Sequence, residues 1–298
     1  MDEMKQVTII GAGPAGISAA IYLWRAGLEP LLMEEDAPGG LLRQAGKVEN
    51  YPGFSEGIPA ARLIGRFIEH LQSVGGSVVR ASVERISRDD DGTYTVSTPV
   101  EAHRTRAAIV ATGTKPKRVA IDGARAAQGH QVFYDLLELM ERSKPGERVV
   151  IYGGGDAAFD LGLNLCQRGY RTAIVCRSRA RCLPLLRARA ERDGIQVMEG
   201  GSITRVSSGE SLRLELDGAK HIEADRLLIA CGREPRLDIL EPSLGARLRS
   251  GGPPAAGVPG IYLAGDVGAD MKRQVGIAVG SGLTAAMLAE QYLRKMMT

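Results

Sequence analysis

The stretch Val7-Thr8-Ile9-Ile10-Gly11-Ala12-Gly13-Pro14-Ala15-Gly16 decides the fold, because it recurs in kind as Arg148-Val149-Val150-Ile151-Tyr152-Gly153-Gly154-Gly155-Asp156-Ala157-Ala158. In each copy an apolar run reads as a buried strand, a G-x-G-x-x-G/A turn follows, and a helical pattern comes next. The first glycine permits the tight bend. The second lets the backbone approach a pyrophosphate. The third position, Gly16 or Ala158, must be small so that helix and strand can pack. The phosphates then rest on unpaired N–H groups at the positive end of the helix. One such turn is a weak signal, since glycines bend chains for many reasons. Two, each with its own strand and helix, point to two nucleotides on one chain and to electrons moving between them. The expected fold class is α/β, with two Rossmann-like three-layer nucleotide-binding domains, one inserted into the other.

Working outward from the first turn, residues 5–10 read as a strand and 14–26 as a helix with Pro14 in its first turn, where a missing N–H costs nothing. Residues 29–34 read as the second strand. Glu34 closes it at roughly the 20-residue distance where a carboxylate accepts from ribose hydroxyls, with Glu35 as the neighbour that could take the same role. A helix is expected over 58–74, a meander of strands near 77–87 and 93–98, and a buried strand over 107–113. Beyond 118 the expectations are a helix over 133–142, a strand over 148–152, and a helix over 156–168. A strand over 171–176 and a helix near 184–193 follow, then strands at 195–199, 202–206, 211–216 and 226–231. The chain then returns through Ala264-Gly265-Asp266-Val267 to a last helix over about 272–295. The expected domains are therefore 1–117, 118–240 and 241–298, the first and last forming one discontinuous unit.

A chain of 298 residues suffices for two domains with sizeable cores. Its net charge of +3 is too mild to argue for nucleic acid, and no basic block is interleaved with aromatics. No run of 18 apolar residues suggests a membrane span. The start runs directly into a strand, so no signal peptide is expected. Cys166, Cys176, Cys182 and Cys231 are scattered and do not read as a disulfide framework, which makes a reducing cytoplasm the expected compartment. No metal site is expected.

Gly11 to Gly16, Gly39-Gly40, Glu49-Asn50-Tyr51-Pro52-Gly53, Ala111-Thr112-Gly113, Gly153 to Ala158 and Ala264 to Val267 with Arg273-Gln274 together resemble low-molecular-weight thioredoxin reductase over nearly the whole chain. The resemblance implies FAD in the outer domain and a nicotinamide nucleotide in the inner one. For FAD it implies Gly11, Gly13, Pro14, Ala15, Gly16, Glu34, Glu35, Gly40, Leu41, Asn50, Thr112, Gly113, Gly265, Asp266, Arg273, Gln274 and Val275. Within that set, Asp266 would accept from the ribityl chain, and the backbone at Gln274 would lie near the pyrimidine end of the isoalloxazine, where a positive helix terminus stabilises reduced flavin. For the nicotinamide nucleotide it implies Gly153, Gly155, Asp156, Ala157, Ala158, Arg177, Arg181 and Gly232. The family is typically a homodimer paired through its flavin domains.

One departure bears on function. The family's redox-active Cys-x-x-Cys lies shortly before the second glycine turn, where this chain reads Val132-Phe133-Tyr134-Asp135-Leu136-Leu137-Glu138-Leu139, and no cysteine precedes Cys166. A dithiol relay needs two thiols within bonding reach, one with a depressed pKa. No histidine follows His221, so the C-terminal histidine of glutathione-reductase-like enzymes is absent too. The cysteine-free relatives that the chain resembles are thioredoxin reductase-like ferredoxin–NADP reductases, whose lead-in is similar to Phe133-Tyr134-Asp135-Leu136-Leu137. Arg177, after the second nucleotide strand, favours NADPH over NADH, because a guanidinium matches a 2′-phosphate; the family's His-Arg-Arg becomes Cys176-Arg177-Ser178 here. The expected activity needs no catalytic side chain: hydride passes from NAD(P)H to FAD, and electrons leave to an external acceptor such as ferredoxin, flavodoxin, another redox protein or a small oxidant. Two alternatives stay open at this point. One is a disulfide reductase with displaced thiols, such as Cys176 with Cys182. The other is a non-enzymatic FAD-binding sensor or subunit.

Overall fold

The computed structural model describes residues 4–218, 220–250, 257–269 and 273–297. The chain divides into two compact units, one made of 1–43, 47–115 and 234–298 and the other of 44–46 and 116–233.

The first unit is built on a sheet whose centre is parallel. Lys5–Ile10 lies between Leu31–Glu34 and Ala102–Val110, and Val79–Arg80 extends the Leu31–Glu34 edge. The far side of Ala102–Val110 is shared. Tyr94–Ser97 pairs antiparallel with its first half, and Ile261–Leu263 pairs parallel with its second. Arg85–Arg88 completes the meander. Side chains of a strand alternate between its two faces, and the core follows that rule. Val7, Ile9, Ala107 and Ile109 enter one cluster, with Ala19, Ala20 and Leu23 of the helix Pro14–Arg25 and Ala285, Ala286 and Ala289 of the helix Val275–Met297. Ile10, Ala108 and Val110 enter the other, with Met33, Tyr94, Ile261 and Leu263. The alanines let the two helices approach closely. A Cβ on Gly282 would lie 2.1 Å from the Ala15 carbonyl oxygen and 2.3 Å from Ser18 Oγ.

The second unit repeats the arrangement with an all-parallel sheet in the order Val132–Phe133, Arg226–Ile229, Arg148–Tyr152, Arg171–Cys176, Gln196–Glu199. Val149, Ile151, Ile174 and Leu228 pack against the helix Asp156–Gln167, while Val150, Val175, Leu227 and Ile229 face the antiparallel strands Ile203–Ser207 and Leu212–Leu216. The strand His221–Ala224 closes that small sheet. The α/β class with two Rossmann-like units is the fold observed.

Several expected elements differ. Residues 77–87 hold two short strands, not one, because Val79–Arg80 joins the parallel edge and only Arg85–Arg88 belongs to the meander. The helix expected over 133–142 is Leu136–Glu141: Phe133 is a fully buried strand residue, and the Asp135 carboxylate accepts from the N–H groups of Leu137 and Glu138, an N-cap that starts the helix later. The return to the first unit begins at Glu234, ahead of the expected 241. Leu237, Ile239 and Leu240 are buried in the first unit's core, and Ile86 N–H donates to the Ile239 carbonyl at 2.6 Å. A helix over Pro242–Ser250 follows that was not expected. The last helix is described from Val275; the expected start at 272 lies outside the described residues.

Gly282→Ala is expected to destabilise the protein by about 1–3 kcal/mol through overpacking, whereas Gly276→Ala, whose Cβ meets nothing within 4 Å, should leave the thermal midpoint unchanged. Equal midpoints for the two variants would contradict the close helix contact.

Candidate functional site: two glycine cradles

Each unit carries one cradle, and the two are constructed alike. Gly11 N–H donates to Met33 O at 2.8 Å; Gly153 N–H donates to Val175 O at 3.0 Å. Ala111 N–H donates to Ile10 O, and Ala230 N–H to Tyr152 O, both at 2.8 Å. Ala111 and Ala230 each directly follow the central neighbour strand, and each presses its carbonyl on the turn. A Cβ on Gly11 would lie 2.5 Å from Ala111 O, and one on Gly153 would lie 2.5 Å from Ala230 O. The third position is equally tight. A Cβ on Gly16 would lie 1.8 Å from Gly11 O, and Ala158 is fully buried with its Cβ 3.2 Å from the Cβ position of Gly153.

The second glycine behaves differently. Gly13 has φ −73° and Gly155 has φ −102°, values any residue adopts. A Cβ on Gly13 would meet only Gly40 Cα, at 4.0 Å, and one on Gly155 would meet nothing within 4 Å. Neither backbone strain nor protein packing requires glycine there. Glycine there leaves the backbone open to a group approaching from outside the protein. The helices beginning at Pro14 and Asp156 have no side-chain cap hydrogen bond, so their first-turn N–H groups lack the usual capping partner. Two open cradles at uncapped helix N-termini fit two pyrophosphates. Asp156 is the one acid in those first turns, and its Oδ1 accepts from Leu183 N–H at 2.8 Å.

Around the first cradle, Glu34 is turned onto the glycine loop. One oxygen accepts from Ala12 N–H at 2.8 Å and the other from Asp36 N–H at 3.2 Å. A carboxylate has about four acceptor positions, so it retains capacity for ribose hydroxyls. Glu35 forms a two-pronged ion pair with Arg236. That engages Glu35 and separates the two neighbours the sequence left equivalent. Gly40, at φ +53°, lies against Gly13, and Leu41 is exposed. Thr112 Oγ1 donates to Arg236 O at 2.6 Å, and Gly113 O accepts from Arg236 N–H at 3.1 Å. Gly265 N–H donates to Ser281 Oγ at 2.8 Å, and its Cβ position is 2.8 Å from Ala15 Cβ, which places the Gly265–Val267 turn bearing Asp266 beside the first helix. Asn50 Nδ2 donates to Gln274 Oε1. Ala278 N–H donates to Gln274 O at 2.9 Å, so the N–H groups of Val275, Gly276 and Ile277 precede the first helical bond. Arg273 Nε is buried without a hydrogen-bond partner among the described residues, a donor suited to a bound group. Sequence reasoning missed Arg236 and Ser281. Arg236 meets partners far away in the chain, and no motif marks either residue.

In the second unit Arg177, Arg179 and Arg181 are exposed, and Arg181 N–H donates to Gly154 O at 2.7 Å. Gly232, at φ +108°, accepts from Lys117 N–H at 3.0 Å. All four cysteines are free and lie in this unit. Cys176 Sγ donates to Gly153 O at 3.3 Å and Cys231 Sγ to Tyr152 O at 3.2 Å. Burial pushes the Cys231 thiol up to about 11 and raises those of Cys176 and Cys182. These three are protonated thiols at neutral pH. No group of three metal-ligating side chains occurs among the described residues, and no described helix is long and apolar enough to cross a membrane.

The sequence pattern of the family described as pyridine nucleotide-disulphide oxidoreductase matches residues 5–291, and the chain belongs to that family. It is 31% identical to thioredoxin reductase of Chlamydia pneumoniae over 97% of this chain and 99% of that one. It is 29% identical to the 34.2 kDa protein in the rubredoxin operon of Clostridium pasteurianum, covering 98% of this chain and 99% of that one. The crystal structure of Lactococcus lactis thioredoxin reductase superposes with a TM-score of 0.87 at 25% identity, over 98% of this chain and 99% of that one. The protein is thus an FAD-dependent NAD(P)H oxidoreductase of the thioredoxin reductase type.

The two kinds of glycine separate in a test. Gly16→Ala is expected to lower the melting midpoint of the apoprotein through its clash with Gly11 O. Gly13→Ala should leave that midpoint unchanged yet weaken FAD retention about tenfold, and Gly155→Ala should raise the nicotinamide KM by about as much. Full cofactor affinity in both of the latter variants would remove the cradle reading.

Proposed function

We propose that the first cradle holds FAD, the second holds NADPH, and electrons leave to an external acceptor with no dithiol relay. The observation that carries the reading is where the sulfur is. No cysteine belongs to the first unit, and the stretch 132–139 has none. In the second unit Cys176 donates to the carbonyl of Gly153 in the glycine turn and Cys231 to that of Tyr152 just before it, and both thiol pKa values are raised where a relay needs one depressed.

Bound FAD supplies the chemistry, taking a hydride from the nicotinamide and passing the electrons on. The residues of this chain do the holding and the polarising. Gly13 and the N–H groups of the first helix receive one pyrophosphate, and Glu34 accepts from the adjoining ribose. Gly155 and the helix Asp156–Gln167 receive the other. Arg177 and Arg181 pair with a 2′-phosphate, the feature that favours NADPH. Asn50 is fastened to Gln274 at the head of the last helix, whose positive end would favour electron density on a bound flavin ring. Asp266 lies next to that helix on the Gly265–Val267 turn and accepts from the ribityl chain.

The acceptor class proposed is a ferredoxin, a flavodoxin or a comparable redox protein, with small oxidants as the alternative outcome of a screen. The rubredoxin-operon relative is consistent with iron–sulfur partners. The compartment proposed is the cytoplasm, where free thiols persist.

Anaerobic NADPH is expected to bleach the visible flavin band of the purified protein within one turnover. A variant with all four cysteines replaced by serine should bleach equally well and still reduce the acceptor. Loss of acceptor reduction with retained bleaching would favour a disulfide reductase with displaced thiols. Bound FAD that neither NADPH nor NADH bleaches would favour a sensor.

A further inference from the structure

Arg177, Arg179 and Arg181 sit on the short connection between the strand Arg171–Cys176 and the helix Pro184–Arg192. Exposed connections of this kind are ordinarily mobile. This one is tied down through three backbone N–H groups. Arg181 N–H donates to Gly154 O at 2.7 Å, inside the glycine turn. Leu183 N–H donates to Asp156 Oδ1 at 2.8 Å, at the head of the phosphate-facing helix. Ala180 N–H donates to Glu199 Oε1 at 2.9 Å, at the end of the strand Gln196–Glu199. Two anchors belong to the cradle itself. The third is a carboxylate that no motif marks.

A carboxylate beside a phosphate site is unfavourable unless a cation offsets its charge, and Arg187 does so here. Arg187 Nη1 donates to the same Glu199 oxygen at 2.6 Å, and Arg187 Nε donates to Glu191 at 2.6 Å. Arg187 is therefore committed to two acids, whereas Arg177, Arg179 and Arg181 point no side-chain hydrogen bond at another described residue. Arg179, Arg187, Glu191 and Glu199 are among the residues that line one cavity of about 280 Å³. The Ala180 N–H and then Arg187 hold the Glu199 carboxyl below the usual carboxylate range, so it stays ionised at neutral pH.

We propose that Glu199 is a positioning residue for recognition of the nucleotide's 2′-phosphate: it fixes the arginine-bearing connection against the pyrophosphate turn through Ala180, and Arg187 offsets the charge that would repel the phosphate. This rests on the NADPH reading above. Glu199 does not touch the nucleotide; it acts through where it holds Arg179 and Arg181.

The test is calorimetric titration of the holoenzyme with adenosine 2′,5′-bisphosphate and, separately, with ADP, which lacks the 2′-phosphate. Glu199→Ala is expected to weaken the bisphosphate about tenfold and ADP less than about twofold, in line with loss of one charge-assisted hydrogen bond. Glu199→Gln keeps a carbonyl acceptor for Ala180 N–H and should recover most of that loss. Arg187→Met leaves the Glu199 charge without that cation and should weaken the bisphosphate selectively, by about threefold or more. In steady-state assays the KM for NADPH should rise in Glu199→Ala while kcat and the KM for NADH stay put. An equal loss for both ligands, no loss for either, or a Glu199→Gln as impaired as Glu199→Ala would overturn the positioning role. A wild-type protein that binds the bisphosphate no more tightly than ADP would instead overturn the NADPH reading and take this inference with it.

Discussion

Both cradles depend on a backbone contact too close for a side chain. Ala111 O and Ala230 O each bear on the first glycine of a turn, 2.5 Å from where a Cβ would stand. That contact locks the end of one parallel strand to the exit of the next, and the hydrogen bonds from Gly11 and Gly153 lock the same exit to the strand on the other side. The turn has no freedom left, so the helix that follows is aimed by the sheet. A fixed helix axis is what makes its first-turn N–H groups a phosphate site and not merely a solvated end. The sheet order, the alternating apolar side chains and the small residues between helices all serve to keep that aim.

On this common frame the two units reverse polarity at the second strand. In the first, the strand ends in Glu34, and the turn offers Ala12 N–H to it. In the second, the strand ends in Cys176, and the turn offers the Gly154 carbonyl to the N–H of Arg181. One cradle thus finishes in an acceptor of hydroxyl protons, the other in a cluster of guanidinium groups. A repeated dinucleotide scaffold can distinguish two nucleotides by the group at the end of its second strand, with no change in the phosphate-facing turn.

Much of this was legible in the sequence, and the legible part is local. The glycine turns, the central strands and their helices follow from period and sterics within about twenty residues, the span over which the dinucleotide pattern is written. What was illegible is non-local or depends on a single cap. Arg236 meets Glu35 across 201 positions, and nothing near either residue announces it. The strand His221–Ala224 is four residues long with one large apolar side chain, Ile222, too little to stand out. The return at Glu234 is set by Leu237, Ile239 and Leu240 finding a core formed much earlier in the chain. No motif marks Glu199, whose partners Ala180 and Arg187 reach it only in the folded chain.

The stretch that in the resembled family carries the redox disulfide is structurally employed here. Phe133 is fully buried in the edge strand Val132–Phe133, Tyr134 has the Arg118 guanidinium 4.4 Å from its ring centre, and Asp135 caps the helix Leu136–Glu141 with two accepted bonds. A cysteine in place of Phe133 would empty core volume, at a cost of several kcal/mol for so large a truncation. A cysteine in place of Asp135 would forfeit an N-cap worth about 1 kcal/mol. The loss of the dithiol is therefore accompanied by residues that stabilise the segment in its absence. Packing, a cation over an aromatic ring and a helix cap give this segment a structural role.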